Sequence, residues 1–543
     1  MPGKAVDVIA YDALHQPLSP LFLDYLAGSG RVRPFLGPGA LDLADVASAA
    51  ERTAAFERPL APVAEALARQ QERRGAGRAA ERARQLAEPG ATAIVTGQQA
   101  GLFGGPLFVL WKALATVRVA SLLEEARRRP VVPVFWVASD DHDFAEIRST
   151  SVIGPAGEIR TLRYSPRHEP VGRPAWTIAL DDTIGPLVEE LGQALPPAVG
   201  REETLALAAE CYRKDTALSE AFARFVSRLL PEVVVLDPAD EVVKRLAAPV
   251  LARELREGSP TSRLALDAGR ALLAAGYHQQ VPVRSGFLNL FAVVEGQRRA
   301  LAFSNGVVEV RGTRERWSLE EALRRLEADP AAWSPGALLR PLTQDALLPT
   351  AAYVGGPAEI AYHAQISPSY AHFGIPRPAL LPRPSLTLVE PAQARTLDAE
   401  GLTLGDLVQD PEALVSRWAR EDYPDVEKAF VRTREVIEHE MRGVEEALGS
   451  HDPTLRAAAA AARGRALFPV DRLHEKALRA LKKRDQERAD RLRRTRDALL
   501  PGGSLQERGL GLVAALSRHG LALPSELGAV LDPFARGHQV VRR

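Results

Sequence analysis

The feature that most constrains the fold is a pair of short apolar runs with a helical segment between them. Residues 91–95 are apolar and β-branched and are bounded by turn residues, as a buried strand is. Residues 107–129 have helical periodicity, Pro130 ends that helix, and a second apolar run follows at 131–137. A strand, a helix and a second strand in this order form the unit of a parallel sheet. The sequence therefore predicts an α/β protein.

A third apolar run, at 233–236, precedes a helical segment at 240–256 and continues the same sheet. The stretches between these pieces have a different character. Residues 151–200 mix Gly, Pro and short apolar alternations, and residues 280–312 alternate as an antiparallel hairpin does. We interpret both stretches as insertions into the sheet domain.

Helical segments lie on either side of these core pieces in the chain. Residues 45–87 have the spacing of an amphipathic helix or helix pair. In the Arg-, Glu- and Ala-rich region 423–500, Phe430, Ile437 and Val444 recur every seven residues, as in the seam of a coiled coil. A plain antiparallel helical hairpin is the alternative. Either structure is an arm, and because such a seam often joins two subunits, we expect a homodimer.

Composition excludes several classes of protein. The 543 residues are 46% hydrophobic, enough for a large core and for more than one structural unit. Lys plus Arg and Asp plus Glu both number 69, so the net charge offers no general attraction for nucleic acid or an anionic membrane. Residues 1–28 lack a signal-peptide core, no run is long enough to span a bilayer, and the single Cys211, a packing residue, excludes internal disulfides. We expect a cytoplasmic protein.

A glycine-rich turn occupies residues 96–106, between the first strand and its helix. Glycines let the backbone approach a phosphate, and the helix start supplies free amides and a positive dipole end. The spacing is neither the dinucleotide fingerprint nor the Walker loop, and a tight structural turn is the alternative. Lys112 can reach back toward a phosphate, although such a lysine is more often solvated. The candidate phosphate-binding residues are Thr96, Gly97, Gln98, Gln99, Gly104 and Gly105.

The loop after the second strand carries Asp140, Asp141, His142 and Asp143. In open α/β sheets, ligands bind beyond the carboxyl ends of the strands. Crowded carboxylates repel one another, so they are normally kept with a cation, an ammonium group or a shared proton. The loop predicts a site for Mg²⁺ or a substrate amine, or a general base at His142. A helix N-cap with solvated acids is the alternative.

Two later segments add candidates. The pair Gly355-Gly356 precedes a predicted helix, another start that favours anions, and Glu359 and Tyr362 share a face of that helix. That face either lines a pocket or faces water. Further along, Arg383 can pair with phosphate or carboxylate in bidentate fashion, and Ser385 can add a hydroxyl donor. Taken alone, this last segment is a proline-stiffened loop.

These segments, in this order, resemble the bacillithiol biosynthesis cysteine-adding enzyme family, also known as cysteine ligases, over nearly the whole chain. The segments that carry the resemblance are 95–102 (VTGQQAGL), 135–144 (FWVASDDHDF), 347–350 (LLPT), 353–362 (YVGGPAEIAY), 372–375 (HFGI) and 506–508 (QER). The chain departs from the family pattern at Asp140, where glutamate is usual, and at Ala145, where an acid is expected.

The resemblance implies a Rossmann-like core similar to class I aminoacyl-tRNA synthetases and nucleotidyltransferases, with connecting-peptide insertions and a dimer-forming coiled-coil arm. We predict N-terminal helices and the first half of the core over 1–150, insertion 1 over 151–200, core over 201–256, insertion 2 over 257–338, the end of the core over 339–395, the arm over 396–515 and a tail over 516–543.

For function, the resemblance implies addition of L-cysteine to glucosaminyl malate, which yields bacillithiol. Because amide formation from a free carboxylate in water is uphill, we expect ATP to activate the cysteine carboxylate, with Mg²⁺ as a candidate ion. Lys112 or Arg383 would neutralise developing charge. His142 would take a proton from the amine or position it, while Asp141 and Asp143 hold that ammonium group or a metal ion. The candidate substrate-binding residues are Trp136, Asp140, Tyr353, Gly355, Gly356, Glu359 and Tyr362.

Two other classes of function remain open at this point. One is a nucleotidyltransferase or adenylate-forming enzyme that acts on a different small acid. The other is a non-catalytic coiled-coil scaffold on a degenerate core. The arm favours this alternative, whereas the intact acidic loop is evidence against it.

Overall fold

The computed structural model describes residues 6–14, 17–37, 42–484 and 486–543. Its strands, in chain order, are β1 Val6–Ile9, β2 Thr92–Gln98, β3 Val131–Val137, β4 Ser149–Ile153, β5 Ile159–Arg163, β6 Val234–Leu236, β7 Phe287–Val294, β8 Gln297–Ser304, β9 Val307–Val310, β10 Arg316–Ser318, β11 Trp333–Pro335, β12 Thr350–Gly355, β13 Ala379–Pro382, β14 Ser385–Val389 and β15 His538–Arg542.

The α-helices, in chain order, are α1 Pro20–Leu26, α2 Arg33–Leu36, α3 Leu43–Ala54, α4 Leu60–Arg73, α5 Gly77–Arg84, α6 Phe108–Arg127, α7 Phe144–Ile147, α8 Ile184–Ala194, α9 Arg201–Cys211, α10 Leu218–Leu229, α11 Glu241–Arg256, α12 Pro260–Ala274, α13 Leu319–Ala328, α14 Arg340–Leu347, α15 Pro357–Phe373, α16 Pro391–Glu400, α17 Pro411–Glu421, α18 Pro424–Gly449, α19 Pro453–Arg484, α20 Gln486–Leu499, α21 Gln506–Gly509, α22 Leu512–His519 and α23 Leu523–Gly528. In the described part of the chain, none of the helices combines the length and the apolar character needed to cross a membrane.

The core is a parallel sheet with the strand order β13, β12, β2, β3, β6. Strands are added in one direction from β2 to β3 and β6, and in the other direction from β2 to β12 and β13. Such a reversal leaves a crevice beyond the carboxyl ends of β2 and β12, the place where open α/β sheets bind ligands. The prediction of an α/β protein with a parallel core is confirmed.

Both faces of this sheet are covered. On β2, Ile94 packs into an apolar cluster with α6, whereas Ala93 and Val95 pack into a second cluster with α4. The residues of β3 divide in the same way, and all seven are buried. A strand buried on both faces needs apolar side chains at every position, which is why residues 131–137 form an uninterrupted apolar run.

Two insertions separate the core strands in the chain. Between β3 and β6 lie the antiparallel hairpin β4–β5 and helices α8 to α10. Between β6 and β12 lies an antiparallel sheet with the order β10, β9, β8, β7, β11. The hairpin predicted within residues 280–312 is confirmed, because β7 and β8 pair in antiparallel directions. The alternation in the sequence arises because Leu288, Leu290 and Ala292 point into a buried apolar cluster.

A second compact unit, Val389–Gly503, holds helices α16 to α20, and the first unit comprises Met1–Leu388 and Ser504–Arg543. The predicted arm, 396–515, therefore starts after the first residue of this unit and extends beyond its last residue. Residues 504–515 of the predicted arm belong to the first unit. There the Gln506 side chain accepts a hydrogen bond from the Leu388 amide (2.9 Å) and donates one to the Leu388 carbonyl (3.1 Å).

Within the second unit, α18 and α19 pack side by side in antiparallel directions. The Phe430 ring stacks on His474 with 4.5 Å between ring centres, and Glu445, later in α18, pairs with Arg463, earlier in α19, at 2.8 Å. Part of the predicted heptad seam is thus used inside the chain, as a helical hairpin, while Val444 is 45% exposed.

Candidate active site

A cavity of about 350 Å³ lies beyond the carboxyl ends of β2, β3 and β12, where the strand order reverses. Its size is within the range of small-molecule sites. Its lining residues are Gly97, Gln98, Gln99, Phe108, Lys112, Trp136, Ala138, Asp141, Arg340, Tyr353, Gly356, Pro357, Ala358, Glu359, Tyr362, Arg383 and Arg508.

The loops that follow β2 and β3 lie side by side at this cavity. The Ala138 amide donates to the Gln98 carbonyl (2.9 Å), and the Gln99 side-chain amide donates to the Asp141 carboxylate (2.6 Å). Gly97 has to be glycine, because a Cβ there would lie 2.9 Å from the carbonyl oxygen of Trp136 on β3. Residues of both loops, Gln99 after β2 and Asp141 after β3, therefore line the same cavity.

Lys112, on α6, is buried rather than solvated, at 1% exposure. Its Nζ donates to the Gly97 carbonyl (2.8 Å) and the Gln98 side chain (3.1 Å), and lies 2.5 Å from a Glu359 carboxylate oxygen. Burial lowers the pKa of Lys112, against the opposing effect of Glu359. Lys112 therefore ties the loop after β2 to helix α15 and places an amine at the cavity wall.

Glu359 caps α15 from inside the cavity. Its carboxylate accepts hydrogen bonds from the Gly356 amide (2.8 Å) and the Tyr353 hydroxyl (2.5 Å). Burial acts to raise the pKa of Glu359, but the charge and hydrogen bond of Lys112 outweigh it and hold that pKa below its usual value. Glu359 is therefore ionised, and its carboxylate is already paired with Lys112 and hydrogen-bonded to the start of α15.

Arg340, at the start of α14, is a lining cation without a charged partner. Its guanidinium donates to the Tyr362 hydroxyl (3.1 Å) and the Gln344 side chain (2.9 Å) and lies over the rings of Trp136 and Tyr353, 6.0 and 5.6 Å from their centres. Among the residues that the structure describes, no carboxylate lies within 4.0 Å of it. Arg340 is half-buried, and a half-buried cation that is satisfied only by neutral groups favours an anionic ligand.

Arg383 and Arg508 are a pair of lining cations that lie over the ring of Phe108, at 4.8 and 6.0 Å. Arg383 is held from behind by Glu507, which is fully buried and accepts from its Nη2 at 2.7 Å. The same carboxylate accepts from the Ser385 hydroxyl at 3.0 Å. The returning C-terminal segment thus both fixes Arg383 and supplies Arg508.

His538 extends this buried network and gives it a pH dependence. Its Nδ1 contacts the Ser385 hydroxyl and its Nε2 the Thr387 hydroxyl, both at 2.8 Å. Burial lowers the pKa of His538 from 6.5 to about 4, with Glu507 acting to raise it and Arg383 to lower it. Between these two values the unfolded chain binds more protons than the folded one, so protonation favours unfolding there.

We therefore expect the free energy of unfolding to fall as the pH drops from 6.5 towards about 4, by roughly 3 kcal/mol from His538 alone, with no further loss from this group at lower pH. Urea unfolding across that range checks it. His538→Gln keeps polar contacts but cannot titrate, so its unfolding free energy should change less over the same window. Parallel curves for the two proteins would contradict the assignment.

The three carboxylates of the acidic loop have three different roles in the structure. Asp140 pairs with the buried Lys244 at 2.6 Å. Asp143 caps the short helix α7, accepting from the Glu146 amide at 3.4 Å, which is the capping alternative that the sequence left open. Asp141 alone of the three lines the cavity. Within the described residues, no group of three or more His, Cys, Asp or Glu side chains is placed to hold a metal ion.

His142 lies beside the cavity lining and is held by the insertion sheet. Its Nδ1 is 3.2 Å from Nη1 of Arg298 on β8, and its ring is tilted against Phe291 on β7 at 5.8 Å. Burial and the positive charge of Arg298 lower the pKa of His142, while Asp141 and Asp143 act in the opposite direction. The second ring nitrogen has no hydrogen-bond partner among the described residues.

The cavity brings together most of the predicted site residues, which are Gly97, Gln98, Gln99, Lys112, Trp136, Asp141, Tyr353, Gly356, Glu359, Tyr362 and Arg383. The predicted residues that do not line it are Thr96, Gly104, Gly105, Asp140, His142, Asp143, Gly355 and Ser385.

The glycines Gly104 and Gly105 lie outside the cavity, in the tight turn that was the alternative for this segment. The Gly104 amide donates to the Tyr212 hydroxyl and the Gly105 amide to the Leu102 carbonyl, both at 3.0 Å. Both glycines adopt positive φ, at 88° and 71°. Their amides are therefore already used within the protein, and we withdraw their assignment to phosphate.

Thr96, Gly355 and Ser385 are likewise engaged in the fold. The Thr96 hydroxyl donates to the Val354 carbonyl (2.8 Å), and the Gly355 carbonyl accepts from the Arg383 amide (2.8 Å). Ser385 donates to Glu507. Thr96 links β2 to β12, Gly355 links β12 to the turn after β13, and Ser385 links β14 to the C-terminal segment, so the corrected role of all three is structural.

Several residues at or beside the cavity were not among the predicted site residues. Arg298 and Lys244 carry no motif, and no signal in the sequence could have placed them beside the acidic loop. Arg508 and Glu507 belong to the short segment QER, whose family resemblance was the one signal available. Arg340 opens the segment that leads to β12, but an arginine at a helix start is common and gave no reason to select it.

Comparison with known proteins agrees with this architecture. Residues 6–384 match the family model "Bacillithiol biosynthesis BshC, N-terminal Rossmann-like domain", and residues 386–543 match "Bacillithiol biosynthesis BshC, C-terminal coiled-coil domain".

Relatives match over almost their entire length. A protein of Salinibacter ruber named "Putative cysteine ligase BshC" is 34% identical over 528 residues, covering 96% of both chains. One of the same name from Koribacter versatilis is 34% identical over 511 residues, covering 93% of this chain and 94% of the relative. A third, from Chlorobaculum tepidum, is 34% identical and covers 88% of both. With both domain models matched and relatives of this similarity, the chain belongs to the BshC family of bacillithiol biosynthesis.

Proposed function

We propose that this protein is an ATP-dependent ligase that joins the carboxyl group of L-cysteine to the amine of glucosaminyl malate. The observation that carries the proposal is the composition of the cavity, in which four cations and one carboxylate, Asp141, that is not paired with a described Lys or Arg lie at the reversal point of a Rossmann-like sheet. An amine, a dicarboxylate and a phosphate-bearing cosubstrate together require such a set of opposite charges. The names of the relatives agree with cysteine as one substrate.

The cations of the cavity suit two different anions. Arg340, between the Trp136 and Tyr353 rings, offers donors to a carboxylate such as those of malate. Arg383 and Arg508, over Phe108, offer donors to phosphate oxygens. Lys112 lies at the loop after β2 and adds a point charge. These residues fit a polyanionic cosubstrate, and ATP when bound supplies the group that activates the cysteine carboxylate.

Asp141 is the residue that we place at the amine. An ammonium group has to lose a proton before its nitrogen can attack an activated carboxyl carbon, and a nearby carboxylate can accept that proton. The new C–N bond then forms as the activating group leaves with its electron pair, and the nitrogen gives up its second proton to that leaving group or to water. Because the described residues form no cluster of metal ligands, Mg²⁺ would be held mainly by the phosphates, and we assign no step to it.

Removing the charge of Arg508 should weaken nucleotide binding without harming the fold. Arg508→Gln should raise the KM for ATP by about tenfold, because one charge-assisted contact is lost, while the melting temperature stays the same. Steady-state kinetics with saturating cysteine and glucosaminyl malate measure it. Arg316→Gln, a matched change at an exposed arginine of the insertion sheet, should leave KM unaltered.

The whole proposal is tested by incubating the protein with glucosaminyl malate, cysteine and ATP and following thiol product and nucleotide by mass spectrometry. Formation of bacillithiol with stoichiometric consumption of ATP is expected. If ATP is consumed only with a different acid, the protein is a nucleotidyltransferase or adenylate-forming enzyme of another specificity. If neither nucleotide nor sugar acid binds, the scaffold alternative is favoured.

We also propose that the protein is a homodimer joined through the helical hairpin of α18 and α19. Large apolar side chains on these two helices remain exposed, which supports a partner for them. These are Val431, Val436, Val444, Leu455, Phe468 and Leu473. Sedimentation equilibrium of the full chain should give twice the mass of 58.8 kDa, and Phe468→Glu together with Val444→Glu should shift the protein to monomer.

A further inference from the structure

His142 is held by an arginine from a distant part of the chain. Arg298, on β8, is half-buried, and its Nε donates to the Ser334 hydroxyl while Nη2 donates to the Pro335 carbonyl, both at 2.9 Å. Its guanidinium lies over the Phe291 ring, 3.7 Å from the centre. Two hydrogen bonds and a stacked ring thus fix its position, and Nη1 remains directed at Nδ1 of His142 at 3.2 Å.

This contact determines which ring nitrogen of His142 carries the proton. A guanidinium has only donors, so Nδ1 has to act as an acceptor toward it. In a neutral imidazole with Nδ1 as acceptor, the proton is on Nε2. Binding a second proton at Nδ1 would break the contact with Arg298 and place two positive charges together.

The other charges near His142 do not remove this constraint. Asp141 Oδ1 is 3.8 Å from Nδ1, beyond hydrogen-bond distance, and Asp143 is engaged in capping α7. Both carboxylates favour protonation of the ring, whereas burial and Arg298 oppose it, and the net effect is a lowered pKa. The Nε2 side is accessible, since the side chain is 37% exposed and Nε2 has no partner among the described residues.

We infer that His142 serves as a neutral hydrogen-bond donor through Nε2–H and not as the general base of the reaction. The inference rests on the proposed function for its ligand, an anionic oxygen such as that of a phosphate or of the tetrahedral intermediate of amide formation. It replaces the proton-accepting role suggested by the sequence alone. Proton acceptance from the amine then remains with Asp141.

The tautomer can be measured without any turnover. In ¹⁵N-histidine-labelled full-length protein near neutral pH, the His142 signals, assigned by their loss in His142→Gln, should show an acceptor-type Nδ1 and a protonated Nε2. Arg298→Met should turn this pattern into the mixture of tautomers of a free imidazole, and the control Arg316→Met should not change it. A protonated Nδ1 in the wild type would overturn the inference even if ligation is observed.

Activity of three variants separates donor from base. The amide nitrogen of Gln can reach the position of Nε2, whereas that of Asn reaches only the position of Nδ1. As a donor, His142→Gln should stay within about tenfold of wild-type kcat, while His142→Asn and His142→Ala lose roughly a hundredfold or more. Equal losses in all three, with the melting temperature unchanged, would show that a proton acceptor has been removed. Absence of ligation in the wild type would refute the proposed function and leave the NMR result valid.

Discussion

Replacing Asp141 by asparagine should lower kcat for ligation by about 10²- to 10⁴-fold, the range of a lost general base. Asp141 is the one carboxylate of the acidic loop that lines the cavity, because Asp140 is paired with Lys244 and Asp143 caps α7. Without it, the other carboxylate of the described cavity lining, Glu359, is already paired with Lys112 and does not replace Asp141 as the proton acceptor. Steady-state kinetics with all three substrates, at several pH values, measure the loss.

The substitution is suitable because the fold can tolerate it. Asp141 Oδ1 accepts from the His142 amide at 2.8 Å, and the side-chain carbonyl of the introduced asparagine can accept the same hydrogen bond. Asp141 Oδ2 accepts from Gln99 Nε2, and that nitrogen keeps Glu146 as an acceptor when the oxygen at position 141 is replaced by an NH₂ group. We therefore expect the melting temperature to stay within the error of measurement.

Glu146→Gln is the matched control for this variant. Glu146 also accepts from the Gln99 side chain, at 2.6 Å, but it does not line the cavity. Its substitution removes one negative charge at a similar place and should leave kcat almost unchanged. Equal losses in the two variants would mean that only the orientation of Gln99, and not a proton acceptor at Asp141, matters for turnover.

The sequence predicted the core of this site for a physical reason. Strands that are buried on both faces leave long apolar runs, and the loops that follow adjacent parallel strands have to emerge at the same edge. In the structure Gly97 lies opposite Trp136, and this register places Gln99 beside Asp141. Local pattern and topology were sufficient here.

The remaining contacts depend on side chains that no local pattern brings together. Arg298 is 156 residues from His142, on a strand whose alternation predicts a hairpin but not its neighbour. Glu507 is 124 residues from Arg383, and only folding back of the C-terminal segment makes it a buried partner. The assignment of Gly104 to phosphate binding was wrong for a related reason. Composition does not show whether the Gly104 amide is free or already donates to Tyr212.

Substituting methionine for Lys112 should reduce the free energy of unfolding by about 3 kcal/mol, because the partly buried Glu359 is left without its cation. In Lys112→Met with Glu359→Gln, no unpaired charge remains, and Gln can still accept from the Gly356 amide. We expect this double variant to recover most of the lost stability. Urea unfolding of the wild type, both single variants and the double variant gives the coupling free energy of the pair.

The double variant Lys112→Met with Glu359→Gln should not regain ligation activity when it regains stability. It still lacks the positive charge that Lys112 places at the cavity wall, where it contacts the loop after β2. Lys244→Met with Asp140→Asn removes a second buried ion pair, one that does not line the cavity, and should leave a folded protein with a much higher kcat than the Lys112 double variant. If Lys112→Met with Glu359→Gln regains both stability and near-normal kcat, Lys112 has only a structural role, and the anion-binding part of the cavity reduces to Arg340, Arg383 and Arg508.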